Sequence, residues 1–277
     1  MFIRKYNPNI NVEQKIQFKI NIPKDFKGYN LIITGSIGMG KSTLLEAIHN
    51  CLKYNNINHY SFPEFVMTDY NNIPISELLL EMKLKGILNG ITTQNYILDI
   101  WDYNLKKYEE YKQKFSKNNI VLWDRTPEDV GLFTKALINY ENYKNIKLKN
   151  YSILSSNDEF TNKCYYNIIE RSDIIMKKYN INKYSVENNI KPCYISMIKS
   201  NINLMLISVL NIIKDDIENN LCKNRIIHLK TDKLDQHNNV QNRNRGGEDN
   251  YYDKPLINND DEYTLMDFIN DQYNNLI

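Results

Sequence analysis

At 277 residues with 42% hydrophobic content, the chain is long enough to build one generous domain around a sizeable core. Lys and Arg total 35 against 33 for Asp and Glu, a net charge of +2, so global charge gives no case for nucleic acid or an anionic membrane as partner. Cys51, Cys164, Cys193 and Cys222 form no C-x-x-C pair, which speaks against a zinc site and a disulfide framework and for reduced thiols in a cytoplasmic setting.

The segment Met1 to Ile20 interleaves charged and apolar residues and lacks the apolar run of a secretory signal. Ile202 to Ile213 falls short of the ~20 apolar residues that span a bilayer, and reads as a buried helix. Heavy use of Asn, Ile, Lys and Tyr reflects AT-rich codons, as in the genome of a parasite or a large DNA virus.

Strand-length apolar runs alternate with helix-period segments, the pattern of an α/β protein with a parallel sheet. Strands are expected at Asn30 to Thr34, His59 to Phe62, Asn119 to Trp123, Tyr151 to Leu154 and Arg225 to Leu229. Helices are expected after the first strand and over Ser76 to Leu88, Thr92 to Phe115, Glu128 to Tyr140, Glu159 to Lys178 and Val186 to Glu218. Within the second of these segments, Ile97, Ile100, Trp101 and Leu105 share a face and read as core. From Asp235 to Asn259 the sequence is rich in Asn, Asp and Gly, too polar to offset its ordering entropy, and reads as a mobile insertion. Glu262 to Ile277 regains Leu265, Phe268 and Ile269 at helical spacing and closes the single domain, 1–277, as a C-terminal helix.

Gly35-Ser36-Ile37-Gly38-Met39-Gly40-Lys41-Ser42 fits G-x-x-x-x-G-K-[ST] at every fixed position, between an apolar strand and a helix. Glycines there let backbone N–H groups turn inward around phosphates, the helix N-terminus adds its positive end, and Lys41 brings charge to the β- and γ-phosphates. Ser42 offers a hydroxyl to Mg²⁺, and Thr43 comes next on the same turn. The cofactors expected are therefore ATP and Mg²⁺. The loop does not by itself name the acceptor.

Ligands of a doubly wound sheet gather at the carboxyl ends of its strands. Glu64 comes after the second strand in Ser61-Phe62-Pro63-Glu64-Phe65, where a carboxylate can take the proton of an attacking hydroxyl; a solvated loop glutamate is the competing reading. The third strand runs into Trp123-Asp124-Arg125-Thr126. Asp124 can hold Mg²⁺ or its water, and Arg125 can grip a phosphate bidentately, whereas a surface ion pair at a helix start is the plainer alternative.

With these segments in this order, the chain resembles the deoxynucleoside kinases, the family of viral thymidine kinases and cellular deoxycytidine and deoxyguanosine kinases. The likeness rests on the GSIGMGKST loop, Glu64, the segment Thr92 to Leu98 and the segment Asp124 to Phe133, and covers about Leu31 to Leu137. It implies a P-loop kinase fold, with a central five-stranded parallel sheet, helices on both faces and a short lid. It also implies ATP-dependent phosphorylation of a deoxynucleoside 5′-hydroxyl, and a homodimer joined through helices. By the same likeness Glu64 is the general base, Gln94 pairs with the nucleobase edge, Arg125 lies at the reacting phosphate and hydroxyl, and Asp124 assists the metal. A glutamine amide complements a pyrimidine's carbonyl and N3–H, which favours thymidine or another pyrimidine. The lid's arginines reduce here to Arg171, with Lys177 and Lys178 after it.

A nucleoside monophosphate kinase of the thymidylate kinase type also places Asp-Arg after its third strand and is the nearest alternative. A kinase-like nucleotide-binding protein without turnover is a second. A GTPase is a third, through Asp232-Lys233-Leu234-Asp235, although no D-x-x-G comes after the third strand.

Overall fold

Side chains alternate along β1, Tyr29–Thr34, and both alternating sets are apolar near its middle, so this strand has to be covered on both faces. The computed structural model of the chain describes residues 16–62, 69–70, 73–74, 90–114, 119–147, 159–179, 193–198, 201–243 and 264–275, and it places β1 at the centre of a five-stranded sheet. The later strands are β2 (His59–Phe62), the short antiparallel pair β3 (Asp69–Tyr70) and β4 (Ile73–Pro74), then β5 (Ile120–Asp124), β6 (Cys193–Ile198) and β7 (Asn224–Lys230). The main sheet has the order β2-β5-β1-β7-β6, and every pairing in it is parallel.

Parallel neighbours need crossovers, supplied by α1 (Lys41–Tyr54), α2 (Gly90–Lys114), α3 (Glu128–Lys147), α4 (Glu159–Lys178) and α5 (Ile202–Glu218). Connections from β1 to β2 and from β6 to β7 step the same way across the sheet. Right-handed crossovers therefore put α1 and α5 on one face, where they pack together. Leu31, Ile33, Ile120, Leu122, Ile227 and Leu229 meet them there. Ile32, Val121, Trp123 and Ile226, the alternate positions, build the opposite core with Phe62, with Ile97, Leu98, Trp101 and Leu105 of α2, and with Ile168 and Ile175 of α4. The fold is thus α/β, a parallel sheet with helices on both faces.

One strand was missed by sequence reasoning. Tyr151 to Leu154 lies outside the described residues, and the edge strand is β6, inside a stretch that reads as helix from Val186 to Glu218. Cys193 to Ile198 joins aromatic and β-branched residues directly after Pro192, which suits a strand start. Asn201 then caps α5, its side chain accepting from the Asn203 N–H at 2.9 Å, so strand and helix are separate.

A second difference concerns the Asn-rich segment. Its first part is helical, in α6 (Lys233–Arg243), started by the Asp232 carboxylate accepting from the Asp235 N–H at 2.8 Å. Composition hid this helix because it gains stability from what Gln236 and Val240 touch, both of them buried. Residues 244–259 lie outside the described residues. The closing helix is α7 (Leu265–Asn274), opened by a capping box between Thr264 and Asp267. Among the described residues no helix is long and apolar enough to cross a membrane.

Candidate functional site

β1 and β5 are neighbours whose onward connections leave in opposite directions, which opens a crevice at their carboxyl ends. Register sets Ile33 opposite Asp124 and Thr34 opposite His228. The Gly35 to Ser42 loop, which continues from Thr34, and Arg125, which continues from Asp124, therefore share one edge of the sheet.

The loop is buried from Gly35 to Met39. At Gly35 (φ +135°) an added Cβ would stand 2.7 Å from the Leu229 carbonyl oxygen, so β7 approaches too closely for any side chain. Lys41 opens α1 and is 2% exposed; its Nζ donates to the Ser36 carbonyl at 2.6 Å. A buried ammonium satisfied by the loop's own carbonyl is poised to exchange that contact for a phosphate oxygen. Thr43 is half-buried on the same turn.

Ser42 Oγ donates to Asp124 Oδ2 at 2.7 Å across 82 residues of sequence. Asp124 is 1% exposed, and its Oδ1 is buried without a hydrogen-bond partner among the described residues. A hydroxyl oxygen beside a carboxylate with an unused oxygen is the donor set Mg²⁺ takes when phosphates and water complete its shell. The residues present fit that ion.

Arg125 has φ +67°, left-handed backbone that costs a non-glycine residue about 1–2 kcal/mol, and its N–H donates to the Ile33 carbonyl at 3.0 Å. Its guanidinium is buried, 5.1 Å from the Phe133 ring centroid. The strain is sustained by the turn after it. Asp129 Oδ2 accepts from the Thr126 N–H at 2.7 Å and from Thr126 Oγ1 at 3.2 Å, closing the start of α3 over Pro127. The other oxygen, Oδ1, accepts from Thr34 Oγ1 at 2.7 Å and from the Tyr273 hydroxyl at 2.8 Å. One buried carboxylate thereby ties β1, the Arg125 turn and α7. Burial first, and then the Asp129 carboxylate, push the Tyr273 phenol well above its ordinary value of 10.0.

Glu64 lies outside the described residues. Gln94 is buried on the first turns of α2. Arg171 sits in the middle of α4, where it pairs with the Asp99 carboxylate and donates to the Asn95 carbonyl at 3.2 Å. It binds the stretch of α2 that carries Gln94, so in this structure it ties two helices together. Asp232 and Asp235, the residues of the GTPase alternative, are exposed at the α6 cap.

No family model matches the sequence, and no curated protein matches it. Among the solved structures similar to the chain are two with a TM-score of 0.34 each. One is a deoxyadenosine kinase from M. mycoides with dCMP and a flexible dCDP bound, at 16% identity over 66% of this chain and 98% of that one. The other is a thymidylate kinase from Candida albicans, at 13% identity over 78% of this chain and 90% of that one.

Sequence reasoning missed three residues that support the site from behind: Asp129, Tyr273 and Gln236. Asp129 had a signal, an acidic residue three positions after Thr126 at a helix start. Tyr273 had none, being 144 residues from its partner. Gln236 was concealed by the Asn-rich composition around it.

Proposed function

We propose that the chain is an ATP-dependent kinase that moves the γ-phosphate to the 5′-hydroxyl of a deoxynucleoside, with thymidine or another pyrimidine preferred. The observation that carries this reading is the 2.7 Å contact of Ser42 with Asp124, which joins the phosphate loop to the Asp-Arg turn at one crevice.

In this reading the amides of Gly35 to Ser42 and the N-terminus of α1 bind the β- and γ-phosphates, and Lys41 turns from the Ser36 carbonyl to them. Bound at Ser42 and Asp124, Mg²⁺ would neutralise charge on the transferring phosphate. Arg125, already desolvated, holds the phosphoryl oxygens. Glu64 takes the proton of the 5′-hydroxyl. Gln94 reads the base edge, and Arg171 keeps its turn of α2 in place or, when released from Asp99, reaches the donor phosphates.

A nucleoside monophosphate kinase would use the same loop and the same Asp-Arg turn. Incubation of the full chain with MgATP and, separately, each of the four deoxynucleosides and their 5′-monophosphates discriminates the two. Turnover led by a pyrimidine deoxynucleoside is expected; turnover confined to monophosphates overturns the acceptor assignment.

A further inference from the structure

α6 packs against the phosphate loop. Gln236, 1% exposed, donates from Nε2 to the Ile37 carbonyl at 2.7 Å. Three residues later, Asn239 Nδ2 donates to the Gly38 carbonyl, also at 2.7 Å. Contact is close enough that a Cβ on Gly38 (φ +81°) would stand 2.8 Å from the Gln236 backbone oxygen. Gly38 occupies a position that the loop motif leaves free, and both its left-handed backbone and the close approach of α6 call for glycine there.

The orientation of the Gln236 amide is itself fixed. Its Oε1 accepts from Asn270 Nδ2 at 2.8 Å while its Nε2 donates to Asn270 Oδ1 at 3.1 Å, a reciprocal amide pair with α7. Rotating the amide by half a turn would set Gln236 Oε1 against the Ile37 carbonyl, oxygen facing oxygen.

These contacts bear on the amides of the loop through peptide planarity. No cis peptide is present among the described residues, so each C=O points opposite to the N–H of the next residue. Holding the Ile37 and Gly38 carbonyls toward α6 turns the Gly38 and Met39 N–H groups away from it. Two consecutive donors are thereby set in advance for an anion, and the ordering entropy is spent before binding.

We infer that Gln236 and Asn239 are positioning residues for triphosphate binding, with Asn270 locking the Gln236 amide, so that α6 determines the loop's affinity for its anion without touching it. The inference rests on the kinase reading only in taking the loop to bind a triphosphate, and is independent of the acceptor.

The test uses the full chain and its Gln236→Met and Asn239→Ala variants, with calorimetric titration by Mg²⁺-tripolyphosphate and by MgATP. Thermal unfolding and the acceptor KM are measured alongside. Gln236→Met keeps the shape and removes the donor; Asn239→Ala, on a half-buried helical position, is the variant that folds most readily. Each is expected to bind both ligands about five- to tenfold more weakly, the worth of one neutral hydrogen bond, with the acceptor KM unchanged. A purely structural role would lower the melting temperature and leave both dissociation constants alone, which overturns the inference. Affinities within twofold of wild type in both variants overturn it as well, while leaving the kinase reading intact. Wild-type protein that binds neither ligand sinks both together, and wild-type protein that binds both but phosphorylates no deoxynucleoside sinks the kinase reading alone.

Discussion

Tyr273→Phe removes one oxygen from the tie between α7 and the Arg125 turn and changes almost no volume, so no cavity is left. The lost bond is a phenol donating at 2.8 Å to a carboxylate in a site where Tyr273 is 1% and Asp129 2% exposed. Hydrogen bonds to charged groups are worth about 1.5–3 kcal/mol. Asp129 Oδ1 keeps its 2.7 Å bond from Thr34, so the carboxylate is not orphaned and the loss falls toward the lower end, about 1.5–2 kcal/mol. In a chain of this size that lowers Tm by roughly 3–8 °C. Urea unfolding of wild type and variant reads it directly, and the midpoint is expected to move while the slope m stays constant. A loss of less than about 0.5 kcal/mol, within the scatter of an ordinary surface substitution, would show that this bond does not hold α7 to the turn, because a buried charge-assisted bond cannot be that weak.

Other perturbations probe separate parts of the molecule. At the amino-terminal edge of the sheet, Asp216 accepts from the Tyr29 hydroxyl and from Arg225 Nε, each at 2.8 Å, and also pairs with the second Arg225 nitrogen. Asp216→Ala removes the buried carboxylate that these donors share and is expected to cost about 3–5 kcal/mol in urea unfolding, with the KM of the remaining folded protein unchanged. His59 Nδ1 lies 2.8 Å from the Ile57 carbonyl and so carries the proton, leaving Nε2 to accept from His49 Nδ1 at 2.9 Å. Burial chiefly, with Lys53 adding to it against the Ile57 bond, lowers its pKa below 6.5, so the folded state holds it neutral. Its stabilising contribution is present in full above 6.5, declines as pH falls below that value, and is lost once pH passes below the folded-state value. Urea midpoints between pH 8 and pH 5 are expected to drop less in His59→Gln than in wild type. Glu64→Gln is expected to lower kcat by about 10²–10⁴ with ATP affinity retained, and full activity would remove Glu64 from the role of base.

What the sequence disclosed was local. The phosphate loop is eight consecutive residues between a strand and a helix, and Asp124-Arg125 is adjacent to the strand that places it, so both could be read from order alone. The crevice arose from the alternation of connections around β1. β6 was hidden because Cys193 to Ile198 continues without a glycine into the apolar period of α5, and only Pro192 and Asn201 mark the break. α6 was hidden for a different reason: a segment of Asn, Gln and Asp holds its shape through Gln236 and Asn239 bonding to loop carbonyls about 200 residues earlier. The Asp129 to Tyr273 bond is likewise tertiary, and no periodicity encodes it. Residues whose partners are distant in sequence are the ones that pattern reasoning passes over, and here they fix the site's geometry.

If the loop and the Asp-Arg turn form one phosphoryl-transfer site, label from γ-labelled ATP must reach a deoxynucleoside, and Lys41 must be needed for it. The decisive measurement is that transfer by wild type and by Lys41→Ala, side by side. Labelled deoxynucleoside 5′-monophosphate from the wild type and none from Lys41→Ala is the expected result. A wild-type chain that binds MgATP and labels no deoxynucleoside, or a Lys41→Ala chain that labels as well as wild type, would contradict it.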